Sequence, residues 1–322
     1  MLIRPELKLH CQRGKQRQWI RRAVLLAAVF HCVFVPSTAW ADVGGAVPPE
    51  QILRTWNFDP VLLLNLLFLC WLYRRGDSDR FRRGTRDSPA AYRRRLAFAG
   101  GMLALILALV SPLDALSEQL SSAHMLQHLL LMMVAAPLFL LAVSTRTLFV
   151  GLPGIWRRRI NAWRRYRFSR RLSAVCWNPL FAWSLQLIVL WFWHVPRFYQ
   201  AALNHLAIHD LQHLSFFFSA LVFWRVLLDP NPHQRLNWGV GALYLFAASL
   251  QTMALGVFLA LSPHVWYPAY QERPLAWGLT PLEDQQIAGF LMWMPGAMMY
   301  GVIAALLLAY RLQESRLESQ CA

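Results

Sequence analysis

The feature that most constrains this chain is a series of seven apolar segments, at about 60–73, 96–112, 122–143, 177–194, 209–228, 239–262 and 286–310. Several of them approach or exceed the roughly 18–20 apolar residues needed to cross a bilayer. The first is short and gains a turn if it begins near Phe58. Lipid offers no hydrogen bonds, so each segment must satisfy its own backbone and is predicted to be helical. None alternates with the period of a barrel strand. The predicted fold is an all-α membrane protein, a seven-helix transmembrane bundle. Pro137 and Pro295 fall inside predicted spans and should kink them. At 57% hydrophobic and 15% charged over 322 residues, the chain is too apolar for an ordinary soluble protein. Its net charge of +16 invites a nucleic-acid reading, but the arginines sit between the apolar runs, as positive-inside loops do. Lipid, not nucleic acid, is the predicted partner.

The N-terminus reads as a leader. "QRGKQRQWIRR" is basic, "AVLLAAVFHCVFV" is a short apolar core, and "AWA" precedes Asp42 with the small–x–small form of a cleavage site. Residues 1–41 are therefore expected to be a cleaved signal peptide, and 42–322 a single seven-span membrane domain. Orientation follows from the loops. "YRRGDSDRFRRGTRDSPAAYRRR" and "RTLFVGLPGIWRRRINAWRRYRFSRR" are crowded with arginine, whereas "SPLDALSEQLSS" has no basic residue. Segments 195–208 and 263–283 hold only Arg197 and Arg273. The alternation places the mature N-terminus outside and the C-terminus in the cytoplasm.

That topology gathers the histidines. His124 and His128, four apart in "SSAHMLQHLLLMMVAAP", share one helix face at the outer mouth of the third span. His194 ends the fourth span, His205, His209 and His213 lead into the fifth, and His264 ends the sixth, all on the same side. Only His233 falls on the cytoplasmic side once the leader is set apart. Ionisable groups a turn inside a membrane are costly and by default functional. An HxxxH pair projects two imidazoles toward one ion. Imidazole suits copper, zinc or iron, and thioether favours Cu(I). Met125, Met132, Met133, Met292, Met294, Met298 and Met299 are at hand, although methionine also fills gaps between helices. Gln127, Gln212, Gln285 and Gln286 lie close enough in sequence to hold imidazole tautomers. Cys70, Cys176 and Cys321 are scattered, with no CxxC pair, so no thiolate site is encoded. Nothing resembles a nucleophile with its base or a phosphate loop, and no enzyme activity is predicted.

Four ordered blocks resemble a known family. They are "WNFDP" (56–60), "SPLDALSEQLSSAHMLQHLLLMMVAAPL" (111–138), "WHVPRFYQAALNH…HDLQHLSFFFSALVFW" (193–224) and "YPAYQERPLAWGLTPLEDQQIAGFLMWMPGAMMY" (267–300). Over about 56–310 the chain is similar to the CtaG-type cytochrome c oxidase assembly factors. The resemblance implies a seven-helix protein of the bacterial inner (plasma) membrane that helps build the copper centre of a haem–copper oxidase. Its implied partners are oxidase subunit I and periplasmic copper chaperones, and its implied cargo is copper. Carried onto this sequence, the candidate ligands are His124, His128, His194, His209 and His213, with Met125 and Asp284 next. Two other classes remain open at this point: a membrane b-type cytochrome with bis-histidine haem, and an intramembrane zinc hydrolase using Glu283 or Asp284 as base.

Overall fold

The computed structural model describes residues 47–81, 88–142, 145–163, 165–228, 236–306 and 308–309. The expected leader (1–41) and His233 lie outside the described residues. Among these residues there is no strand. Twelve α-helices lie within the described residues once the contiguous segments of Ser121–Ala142 and Pro281–Leu306 are each taken as one helix. In chain order they are α1 (Pro60–Phe81), α2 (Pro89–Leu109), α3 (Pro112–Gln119), α4 (Ser121–Ala142), α5 (Thr145–Gly151) and α6 (Gly154–Trp163). Then follow α7 (Arg167–Cys176), α8 (Pro179–His194), α9 (Pro196–Asn204), α10 (Leu206–Leu228), α11 (Trp238–Leu261) and α12 (Pro281–Leu306).

Each predicted span falls on a helix, and among the described residues four to six of the seven expected spans meet the length and apolarity needed to cross a membrane. Four helices, α4, α10, α11 and α12, are long and apolar enough by themselves, and up to six spans result if the bent pairs α2–α3 and α8–α9 each count as one. The shortfall lies in α1. Its C-terminal end, "RRGDSDRF", is polar, so its apolar part is too short to span by that measure. The two bends, of 43° and 73°, have a common cause. Pro112 and Pro196 each open a new helix, since proline disfavours helix in the residue before it and donates no N–H. Ser111 caps the first of these starts by accepting from Leu113 N at 3.2 Å.

The arginine-rich stretch expected as a loop forms the short helices α5, α6 and α7. Ile155, Trp156 and Phe168 are exposed beside the arginines, with the Arg159 guanidinium 5.5 Å from the Trp156 ring. Apolar and basic residues interleaved in this way suit a helix lying in a membrane interface.

At the centre stands α4, packed on α2, α10 and α12; α8 packs on α10, and α11 on α12. The central α10 is 72% buried over its apolar window, whereas α12 is 28% buried. The outward face of α11 exposes Leu243, Phe246, Leu250, Phe258 and Leu261, a stripe that water would not tolerate and lipid would. Lipid is as apolar as leucine, so helix association there rests on close packing. The α11–α12 contact shows this at Gly256 and Gly289. A Cβ at Gly289 would meet Gly256 O at 2.6 Å and Ala260 N at 2.5 Å, so only glycine lets these backbones touch.

Both predicted proline breaks take the form of π-turns, Leu130–Ala135 in α4 and Met292–Gly296 in α12. In the first, Ala136 N–H donates to the Leu131 carbonyl, five residues back. That register would require an N–H from Pro137 for the Met132 carbonyl, and proline has none. The Trp224 indole of α10 donates to that carbonyl instead, at 2.9 Å.

Candidate metal centre

The period of α4 and α10 brings four imidazoles face to face. His124 and His128 lie one turn apart on α4, with ring centroids 4.3 Å apart; His209 and His213 do the same on α10 at 4.2 Å. Across the helix pair, His124 stands 5.3 Å from His209 and His128 stands 5.3 Å from His213. One ligand nitrogen from each of His124, His128 and His213 lies within 4.8 Å of the others. These three are 0%, 2% and 3% exposed.

Hydrogen bonds fix two tautomers. His194 Nδ1 is 2.7 Å from the Leu190 carbonyl, which can only accept, so Nδ1 carries the proton and Nε2 keeps its lone pair. Tyr270 reaches the same result at His124. Its hydroxyl donates to Ser117 O at 2.7 Å, which leaves its oxygen to accept from His124 Nδ1 at 3.4 Å. Tyr270 lies outside the spans, and burial pushes its hydroxyl well above the ordinary tyrosine range, so it remains a donor. The Nε2 atoms of His124, His128, His194, His209 and His213 are all buried without a hydrogen-bond partner. Buried lone pairs without donors are unfavourable, and a shared cation relieves them.

A cap of tyrosines closes the cluster. Tyr199 of α9 stacks on Tyr267 at 3.8 Å, and the Tyr267 hydroxyl donates to His194 O at 3.1 Å. Arg273 donates to Glu118 O at 2.6 Å and ties the same 263–280 segment to the end of α3.

Beneath the cluster, on the α4 face of residues 125, 128, 129, 132 and 133, lies a cavity of about 10 Å³. Met125, His128, Met132, Met133, Gln186, His194 and Met292 line it. His128 thus belongs to both the imidazole cluster and the cavity.

The remaining candidates stand elsewhere. Asp284 of α12 is fully buried and takes four hydrogen bonds, from the N–H and hydroxyl of Ser121 and of Ser122, at 2.5–3.1 Å. Its two oxygens cap the start of α4, whose own N-cap, Leu120, has no acceptor to offer. His205 and His264 are exposed, and His264 contributes its backbone to bonds with Ser262 and Gln285. Gln127 and Gln285 are bonded to other groups than the imidazoles. Gln127 donates to Asp114 and to Ala108 O, both at 2.7 Å, and Gln285 accepts from Trp266 N at 2.6 Å. Their direction along the helix, not their distance in sequence, decides this. Sequence reasoning passed over the knot formed by Asn57, Asp114 and Gln127, in which Asn57 donates to Asp114 at 2.8 Å. Its signal was the pair of quoted blocks that contain these residues.

The alternative cofactor fits poorly. Rings this closely packed, above a cavity of about 10 Å³, leave no plane for a porphyrin. The two acids that the hydrolase reading named are both engaged elsewhere: Asp284 by the two serines, and Glu283 by Thr280 N and Oγ1 in a capping box.

No curated protein and no solved structure matches the chain. A family model described as cytochrome c oxidase caa3 assembly factor matches residues 71–314, which include every candidate ligand. With three-quarters of its length matched, the chain belongs to the Caa3_CtaG family of cytochrome c oxidase caa3 assembly factors.

Proposed function

We propose that this assembly factor takes up copper at the outer face of the bacterial inner membrane and passes it to subunit I of the oxidase, with periplasmic copper chaperones as its source. The observation that carries this reading is the buried group of His124, His128 and His213, whose ligand nitrogens lie within 4.8 Å of one another. Three neutral imidazoles can hold one ion and exchange it for another protein's ligands. His209 and His194 stand next to the group and extend it. The role is one of assembly rather than catalysis. In this reading α1 completes a seven-span domain of residues 42–322 behind a cleaved signal peptide, with the C-terminus in the cytoplasm.

The recipient copper site of such an oxidase lies within the membrane, where a bare cation is poorly solvated and needs a ligand-lined route. A strain lacking this protein should therefore still make the oxidase polypeptide and its haem. Copper per haem and oxygen consumption should fall together in medium scarce in copper. Full copper occupancy with normal turnover would remove the copper reading.

A further inference from the structure

We propose that the cavity below the imidazole cluster is a second metal site, selective for a soft monovalent cation of the Cu(I) type. Its ligands are His194 Nε2 and thioethers drawn from Met125, Met132, Met133 and Met292. It deepens the copper reading and takes only the identity of the ion from it.

Three observations converge on the cavity. The first is its chemistry. His194 Nε2 is a lone pair by the tautomer argument, and neither it nor Gln186 Oε1 has a partner. Gln186 Nε2 donates to Met132 Sδ at 3.4 Å, which orients that thioether and leaves its second lone pair. Besides two leucines and the hydroxyls of Thr252 and Tyr300, the lining offers unpartnered acceptors and soft sulfur, with no lysine or arginine among it. Such a set repels anions and, through its sulfur, prefers Cu(I) to Zn(II).

The second is size. A volume of about 10 Å³ admits one small ion or one water and nothing larger. The third is backbone form. Met132 and Met133 lie in the π-turn of α4, and Met292 opens the π-turn of α12. Both helix irregularities thus deliver methionine to one cavity, and such turns are frequent at functional sites. Gap-filling explains a methionine in a core, but it does not explain unpartnered lone pairs from His194 and Gln186 beside it. Since His128 lines the cavity and also belongs to the cluster, the two sites are adjacent steps on one path.

The test uses the full chain in lipid nanodiscs. Zn(II), which disfavours thioether, is added first to fill the imidazole cluster. Cu(I) is then titrated anaerobically against a chelator, and its ligands are read by X-ray absorption. One Cu(I) per chain beyond the Zn(II), with sulfur in its shell, is expected. Met132→Leu/Met292→Leu, which conserves shape, should lower Cu(I) affinity at least about tenfold and leave Zn(II) binding unchanged. Met102→Leu, at a buried methionine outside the cavity lining, should change neither. His124→Ala/His213→Ala should abolish Zn(II) binding while the sulfur-ligated Cu(I) remains. Cu(I) with nitrogen alone in its shell, or unchanged affinity in the double methionine variant, overturns the proposal and shows that the cavity holds water or nothing. Failure of Zn(II) to bind would count against the imidazole cluster only, because the sulfur signal would still decide this site.

Discussion

At the scale of single residues, the histidines and Asp284 teach opposite lessons. The HxxxH spacing on two segments was enough to foresee that imidazoles would meet, because a helix returns to one face every four residues. Asp284 stood next after the histidines as a ligand in sequence, and its carboxylate accepts from Ser121 and Ser122 instead of facing the imidazoles. A sequence does not reveal which group a side chain will find across 163 positions of chain. The two roles separate experimentally. His128→Ala removes one nitrogen of three and should weaken copper binding by more than about 10–100-fold, the loss typical of disturbing even an outer partner of a metal ligand. Asp284→Asn keeps the imidazoles and replaces one acceptor with a donor facing serine N–H groups. It should lower stability by about 1–3 kcal/mol, read by thermal unfolding in detergent, with copper stoichiometry unchanged. A loss of copper without a loss of stability would return Asp284 to the ligand set.

At the scale of elements, the apolar runs located the helices well, because length and composition alone decide what a backbone must do in lipid. What they could not locate was where a span bends or widens. Pro137 was legible as a break, but its π-turn depends on an indole from a different helix, Trp224. Trp224→Phe leaves the Met132 carbonyl buried without a donor and should cost about 1–3 kcal/mol. Pro137→Ala restores an N–H to the same turn. In the double variant the cost should be smaller than the sum of the single effects, since both act on one carbonyl. Strict additivity would mean that the indole and the proline are unrelated. The glycine contact of α11 and α12 was likewise invisible, since two glycines 33 residues apart announce no meeting. Gly289→Val should force these helices apart and reduce the yield of folded protein, measured as the monodisperse fraction on size exclusion.

At the scale of the whole molecule, the loop asymmetry of arginine makes a definite prediction about sidedness. A reporter active only outside the cytoplasm should work when fused near Glu118 or Arg273 and fail near Arg83 or Arg164. Reversed activities would move the imidazoles to the cytoplasmic end and sink the delivery scheme. Three of the four blocks that carried the resemblance fall within the matched residues 71–314, whereas "WNFDP" (56–60) precedes them; the three hold bonds such as Asp284 with the serines and Tyr270 with Ser117. Tyr270 on Ser117, Tyr267 on His194 and Arg273 on Glu118 hold the tyrosine cap over the cluster, and the cap has a consequence in time. Since the imidazoles are at most 3% exposed in the ligand triad, an arriving ion cannot collide with them directly. Entry from the outer side is then expected to wait on the cap lifting. Loading should then saturate: at low copper its rate rises with concentration, and at high copper it levels off at the opening frequency of the cap. Tyr267→Phe removes the hydroxyl bond to His194 O and keeps the stacked ring. It should raise that plateau while leaving the number of ions bound unchanged, as stopped-flow mixing would record. The protein would then act as a clock as well as a carrier, setting how long each ion is held before a recipient can claim it.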